Sequence, residues 1–163
     1  MMNNPWRKDF PQLGENQVYL DTAATSLKPQ SVIDAVDHYY QSLSANIHRG
    51  MYEAAVITTE LYEETRETVA DFINAKSEEI IYTRGTTSGL NLVAYAYGLR
   101  MLNPGDEIIV SELEHHSSFL PWQFIAKQTG AKLVFVPLDH EGRITVESFK
   151  NVITEHTKVV ALT

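Results

Sequence analysis

Two short segments of the sequence place hydroxyl and imidazole side chains beside predicted helices. The first segment, "YTRGTTSGLN", carries Gly85, Thr86 and Thr87 between an apolar run and a helical pattern. A helix N-terminus offers unpaired N–H groups and partial positive charge, so this junction suits a phosphate monoester. The alternative is a threonine cap that serves only the helix. A Walker motif is excluded because its glycine spacing and its lysine are missing.

The second segment, "SELEHHSSFLPWQ", follows the next predicted strand and carries His115 and His116. Parallel topology would put it at the same sheet edge as the Gly-Thr-Thr junction. A histidine there can stack on a planar ring or act as acid or base, whereas solvated loop histidines are the alternative. The H-E-x-x-H spacing of a zinc site is absent, so we predict no metal site.

Two segments nearer the N-terminus offer contacts for a substrate. "ANIHRGMY" reads as a loop whose Arg49, beside His48, could bind a carboxylate through its guanidinium group; an ordinary surface ion pair is the alternative. "YLDTAATS" is rich in small residues, which allow close backbone approach. No G-x-S-x-G signature and no cysteine is present, so the sequence shows no nucleophile of its own. Phosphate recognition beside an imidazole therefore favours a phosphorylated cofactor that supplies the chemistry.

Short apolar segments alternate with helical patterns over the second half of the chain. Helices are predicted from Pro29 and over roughly 54–74, and further helices lie between the predicted strands. The predicted strands are "EEIIYT", "EIIVSE", "KLVFVPL" and "KVVALT". This alternation predicts the α/β class, with a mostly parallel sheet flanked by helices.

Composition narrows the classes of function. The 163 residues carry a formal net charge of −8, which disfavours a nucleic-acid surface. No run of about 18 apolar residues is present, so we predict no membrane span. The N-terminus has no apolar signal segment, so a cytoplasmic location is the default expectation. The sequence stops directly after an apolar strand, where a ligand-binding loop is expected, and we expect a longer protein.

At this point the ordered motifs resemble a known family. "YLDTAATSLKP", "NIHRGMY", "YTRGTTSGLNLVA", "LNPGDEIIVSELEHHSSFLPWQ" and "VVALT" follow the order found in class V aminotransferase-type enzymes. The pattern is most similar to the SUF-type (group II) cysteine desulfurases, with selenocysteine lyase as a sibling. This resemblance implies the N-terminal part of the type I fold of pyridoxal phosphate enzymes, acting as a homodimer. Residues 1–25 would be an N-terminal arm, and residues 26–163 would be the first part of the large cofactor-binding domain.

The resemblance also implies roles for particular residues. Thr86 and Thr87 would bind the cofactor phosphate, and His115 would stack on the pyridine ring, with His116 as second choice. The substrate side would comprise four residues: Ala23 and Ala24 beside the substrate carboxylate, and His48 and Arg49 near the substrate entrance.

The reaction implied by the resemblance converts L-cysteine to L-alanine and an enzyme persulfide. The persulfide sulfur would pass to an acceptor protein for iron–sulfur cluster assembly; selenocysteine is the alternative substrate. The family's cofactor-bearing lysine follows a histidine, and none of the seven lysines here does so. The family's persulfide cysteine would also lie beyond Thr163. We therefore expect this chain alone to be inactive and to hold cofactor weakly or not at all.

Three alternatives remain open from the sequence. Another class V lyase or an aminotransferase could share these motifs. The chain could also be a non-catalytic remnant of the fold that binds a partner. A generic phosphate-binding α/β domain would explain the Thr-Thr junction but not the ordered set of motifs.

Overall fold

A computed structural model describes residues 4–163 of the chain, which divides into two compact units, Met1–Ile81 and Tyr82–Thr163. The sequence did not predict a division after Ile81. The expected boundary between an arm (1–25) and a cofactor-binding domain (26–163) stays a prediction.

The first unit contains two helices joined by the predicted loop. Helix α1 spans Gln30–His38 and runs into a π-helical turn, Tyr39–Leu43. Pro29 precedes α1 as its N-cap residue, so the helix begins one residue later than predicted. Helix α2 spans Glu53–Phe72, close to the predicted range. Short 3₁₀ turns at Pro5–Asp9 and Ser77–Glu79 complete this unit.

The predicted strand "EEIIYT" is wrong, because Ser77–Glu79 forms a 3₁₀ turn and the residues after it pair with no strand among residues 4–163. Ile80 is extended (φ −96°, ψ 122°), but its carbonyl accepts a hydrogen bond from the Arg66 guanidinium instead of a strand amide. An apolar run rich in isoleucine favours extended backbone, but a sheet also needs a partner strand that the local sequence cannot supply.

The second unit is built on a three-stranded parallel sheet, as the α/β prediction required. Its strands are β1, Glu107–Ser111; β2, Lys132–Val136; and β3, Thr157–Val160; β1 lies between the other two. Ile108, Ile109 and Val110 are fully buried, as expected of a central strand that is covered on both faces.

Helices connect and cover these strands. The segment before β1 begins with α3, Thr86–Val93, continues through a π-helical stretch, Ala94–Gly98, and ends with α4, Leu99–Met101. Helix α5, His116–Thr129, links β1 to β2, and α6, Val146–Lys150, precedes β3.

The core of this unit packs the helical segment before β1 and helix α5 against the sheet. Trp122 and Ile125 of α5 meet Ala94, Ile108 and Val110 there. Helix α5 is capped at its C-terminus by Gly130, which is left-handed (φ 77°). Within residues 4–163, we find no helix with the length and apolar character needed to cross a membrane.

Candidate functional site

The N-terminus of α3 presents backbone amides without an internal cap. Gly85 precedes the helix at φ 139° and ψ 177°, a conformation that is almost restricted to glycine. Among the described residues, no side chain caps the helix, and the first intrahelical bond runs from the Gly89 amide to the Gly85 carbonyl. The first-turn N–H groups of Thr86 and Thr87 therefore have no acceptor within the helix, and an anion in front of the helix can accept hydrogen bonds from them.

Space is open in front of this terminus. A Cβ built on Gly85 would meet no atom within 4 Å. The Thr83 hydroxyl donates to the Gly85 carbonyl at 3.1 Å. Among the described residues, the hydroxyls of Thr86 and Thr87 have no hydrogen-bond partner and can be offered to a ligand. This geometry fits the phosphate of a phosphorylated cofactor.

His115 is held at the start of helix α5. It is the N-cap residue of α5, and its Nδ1 accepts the Ser117 amide at 3.1 Å and lies 2.8 Å from the Ser117 hydroxyl. Because Nδ1 accepts the amide hydrogen bond, the proton of the neutral ring is on Nε2. The ring is thus fixed by its own helix, with its Nε2 edge and faces available to a ligand.

One cavity brings the phosphate candidate and the ring candidate together. Thr87 and His115 both line a cavity of about 440 Å³, which His116 also borders. Its apolar wall is formed by Tyr95, Leu120, Pro121 and Phe124. The Tyr95 and Phe124 rings lie 5.4 Å apart. A flat aromatic ring with a phosphate arm suits such a wall, so the residues present fit pyridoxal phosphate.

Glu114 organises the loop that carries His115. Its Oε1 accepts the Ser111 hydroxyl at 2.8 Å and the Thr163 amide at 3.0 Å, and its Oε2 accepts the Thr163 hydroxyl at 2.8 Å. Burial raises the pKa of Glu114. Hydrogen bonds from Ser111, from Thr163 and from the Ser118 side chain outweigh that effect and hold this pKa below its usual range.

The proposed substrate residues all belong to the first unit. Ala23 and Ala24 lie in an exposed turn, in which the Ala24 amide donates to the Asp21 carbonyl at 3.1 Å. Arg49 is exposed in the loop before α2. Within their own unit, these residues are available to a ligand.

His48 is turned onto helix α2. Its backbone is left-handed (φ 64°), and its amide donates to the Thr59 hydroxyl at 3.0 Å. Its Nε2 lies 3.3 Å from Glu63 Oε1, and its ring meets the Tyr62 ring edge-on at 5.7 Å. If His48 lies at the substrate entrance, its ring must therefore meet the substrate while it stays in contact with Glu63 and Tyr62.

A larger cavity, of about 580 Å³, lies in the N-terminal segment and does not gather comparable chemistry. Its Arg7 guanidinium already donates to the carbonyls of Gly14 and Gln17. The Tyr19 hydroxyl donates to the Thr25 carbonyl at 2.5 Å. These polar groups stabilise the segment itself.

Sequence reasoning missed three residues around the site. Asn91 and Tyr95 line the cavity, and the Asn91 side chain donates to the Thr87 carbonyl at 2.8 Å. Their spacing from Thr87, four and eight residues on, is a helical signal that could have placed them on the same face. Glu114 has no such local signal, because its contact with Thr163 depends on the pairing of β1 with β3.

The parallel sheet, the open helix terminus and the adjacent imidazole define an α/β protein with a candidate site for a phosphorylated ring. The chain matches the class-V aminotransferase family over residues 18–163 and belongs to that family.

Curated relatives of similar sequence carry one name. The chain is 48% identical over 162 residues to proteins named "Probable cysteine desulfurase" from Synechocystis sp. and from Halalkalibacterium halodurans. Each alignment covers 96% of this chain, and the chain spans 39% and 40%, respectively, of the lengths of those relatives.

Solved structures support the same fold. The apo structure of cysteine desulfurase from Thermococcus onnurineus superposes with a TM-score of 0.88 at 43% identity, covering 97% of this chain and 39% of that one. A variant of C-DES with glycine covalently linked to its PLP cofactor gives a TM-score of 0.78 at 25% identity, covering 96% of this chain and 40% of that one. The predicted type I fold is confirmed.

Proposed function

We propose that this chain is the cofactor-binding portion of a pyridoxal phosphate-dependent cysteine desulfurase, which converts L-cysteine to L-alanine and an enzyme persulfide. One observation carries the proposal: relatives named for this activity are up to 48% identical to the chain over 96% of its length. The cavity that joins Thr87 to His115 supports it independently, because it fits a phosphorylated ring.

The chain's own residues would hold the cofactor from two sides. The amides and hydroxyls of Thr86 and Thr87 would bind its phosphate at the N-terminus of α3, where the helix dipole favours negative charge. The imidazole of His115 would lie against its ring, oriented by the bond from the Ser117 amide to Nδ1. Bound pyridoxal phosphate supplies an electron sink for the amino acid.

The substrate would be bound by residues of the first unit. Arg49 has the planar guanidinium group that recognises a carboxylate through two hydrogen bonds. Ala23 and Ala24 would let the substrate carboxylate approach the backbone of their turn. His48, anchored by Glu63, would border the entrance.

Partners and location complete the proposal. From the same assignment, we expect the protein to be a homodimer in the cytoplasm. It would pass sulfur to an acceptor protein for iron–sulfur cluster assembly. Large apolar side chains on the surface support association with further polypeptide; the most exposed of them are Met51, Leu20 and Phe72, which are 97%, 90% and 89% exposed.

Product analysis tests the proposed reaction. The protein that contains this chain would be isolated from its source cells with an antibody against the chain, then incubated with L-cysteine or L-selenocysteine. The proposal predicts alanine as the organic product. Pyruvate would identify a lyase, and a 2-oxo acid formed together with a new amino acid would identify an aminotransferase; either result would contradict desulfurase activity.

The chain of 163 residues alone is expected to release no alanine, because none of its seven lysines follows a histidine. Alanine formation by the purified chain would refute that expectation. If the whole protein that contains this chain fails to bind a phosphorylated pyridine, the second candidate, a partner-binding module, is favoured. The exposed apolar side chains are the observation that supports this second candidate.

A further inference from the structure

The Glu114 carboxylate joins the ends of two strands of the second unit. Ser111 is the last residue of β1, and Thr163 follows β3. Glu114 accepts hydrogen bonds from the Ser111 hydroxyl and from both the amide and the hydroxyl of Thr163. A single side chain, two residues before helix α5, therefore connects the carboxyl ends of two neighbouring strands.

The Ser111 contact has a defined direction. Ser111 is 1% exposed, and its hydroxyl oxygen accepts the Leu113 amide at 3.2 Å. The hydroxyl proton is therefore directed to Glu114 Oε1 at 2.8 Å. The Glu114 side chain thus fixes the turn between β1 and α5 from inside, while the Leu113 amide is fixed through the same serine.

His115 lies between two fixed points. Glu114 precedes it and is bound to both strands, and Ser117 follows it and donates its amide to Nδ1. The Ser118 amide also donates to the His115 carbonyl at 2.8 Å. On its N-terminal side, the His115 backbone is held through Glu114, which is bound to both strands, and through the Leu113 amide, which donates to Ser111. Because Glu114 accepts the Ser111 hydroxyl as well, the placement of the imidazole at the cavity depends on residue 114.

We propose that Glu114 is the positioning residue for His115: by tying the turn after β1 to the end of β3, it holds the imidazole at the ring-binding wall of the cavity. This assignment rests on the proposed function, because the ring that His115 would meet is that of the cofactor. It does not place Glu114 in contact with the cofactor or the substrate.

The assignment is tested with Glu114→Ala and Glu114→Gln in the full chain. Glutamine keeps the acceptor oxygen and the side-chain shape, whereas alanine removes every bond to Ser111 and Thr163. Asp139→Ala is the matched control. Asp139 also accepts backbone amides, from Glu141 and Arg143 at 2.9 Å each, but in the turn after β2. Amide hydrogen exchange of Ser117 and Ser118 is measured by NMR without ligand.

Affinity is measured separately with pyridoxine 5′-phosphate, which has the ring and phosphate but no aldehyde to react with lysines. Inorganic phosphate serves as the probe for the α3 terminus alone. We expect Glu114→Ala to speed exchange of the Ser117 amide by about tenfold or more, since a charged acceptor network is lost. We expect Glu114→Ala to lower the affinity for pyridoxine 5′-phosphate by about 2- to 13-fold, which corresponds to the free energy of one aromatic contact. Phosphate affinity stays unchanged.

The faster exchange of the Ser117 amide and the lower affinity for pyridoxine 5′-phosphate are expected to be largest in Glu114→Ala, smaller in Glu114→Gln and absent in Asp139→Ala. Unchanged Ser117 exchange in Glu114→Ala would overturn the assignment, whatever the ligand affinity. If Glu114→Ala does not fold, Glu114→Gln decides: equal exchange and equal affinity there would overturn it. Failure of the whole protein that contains this chain to bind pyridoxine 5′-phosphate would count against the proposed function, while the ligand-free exchange result would still decide whether Glu114 positions His115.

Discussion

Replacing Gly85 with alanine is expected to damage the phosphate site without damaging the core. At φ 139° and ψ 177°, an alanine costs about 1–3 kcal/mol if the backbone stays where it is. Its Cβ would meet no atom within 4 Å, so the effect is one of backbone conformation and not of steric contact.

The backbone at residue 85 is held on one side only. The Gly85 amide has only a distant acceptor, the Thr83 hydroxyl at 3.5 Å, whereas the Gly85 carbonyl accepts the Thr83 hydroxyl and the Gly89 amide at 3.1 Å each. Relieving the strain by turning the peptide group between residues 85 and 86 would break these two bonds and redirect the Thr86 amide. Converting about 1–3 kcal/mol at 1.4 kcal/mol per factor of ten gives a loss of about 5- to 150-fold in affinity for pyridoxine 5′-phosphate.

Gly105→Ala is the matched control for this prediction. Gly105 also has a positive φ (94°) and no atom within 4 Å of its built Cβ, but it lies in the turn before β1, where its amide donates to the Gly130 carbonyl at 3.2 Å. We expect this variant to lose stability in urea unfolding and to keep its affinity. An affinity for Gly85→Ala within about twofold of wild type would refute the reasoning, since it corresponds to less than about 0.5 kcal/mol.

Predictions for four further variants concern the second unit. Thr87→Val should lower the affinity for pyridoxine 5′-phosphate by about 2- to 13-fold, which corresponds to the loss of one ordinary hydrogen bond. NMR titration measures this affinity. Gly98→Ala should destabilise the chain by roughly 1 kcal/mol in urea, because its Cβ would lie 2.7 Å from Cγ2 of Ile125. Gly89→Ala, whose nearest contact is at 3.6 Å, should instead stabilise its helix by up to about 1 kcal/mol. Because the pKa of Glu114 is lowered from 4.5, its ionised form stabilises the fold above that pH, and this contribution is lost as pH falls below it. Glu114→Gln should therefore be less stable than wild type at neutral pH, and urea unfolding at about pH 3 should show a smaller difference. Equal differences at both pH values, or a Gly98→Ala chain as stable as Gly89→Ala, would contradict these two expectations.

Local sequence pattern was sufficient for the elements whose surroundings are simple. Strand β1 is a continuous apolar run because it is buried on both faces, and helix α5 has a clear end at Gly130. The Gly-Thr-Thr junction was recognisable because helix termini have a strong local signature. The two π-helical stretches, Tyr39–Leu43 and Ala94–Gly98, have no such signature and were read as ordinary helix.

Features that depend on distant pairing were not accessible from the sequence. The run "EEIIYT" has strand composition, but in the described residues it has no partner strand and binds Arg66 instead. The contact of Glu114 with Thr163 joins residues 49 positions apart. The approach of His48 to Glu63 likewise requires the loop to fold back on α2, which His48 achieves through a left-handed backbone.

The central claim is that the N-terminus of α3 and His115 form a site for a phosphorylated pyridine. The most direct test is an NMR titration of the ¹⁵N-labelled chain with pyridoxine 5′-phosphate and, in parallel, with pyridoxine. The account predicts that the phosphate ester binds at least about tenfold more tightly, since several amide hydrogen bonds to a charged group are involved. It also predicts that the largest shifts occur at Thr86, Thr87 and His115. Equal affinities for the two compounds, or shifts confined to residues outside this cavity, would contradict it.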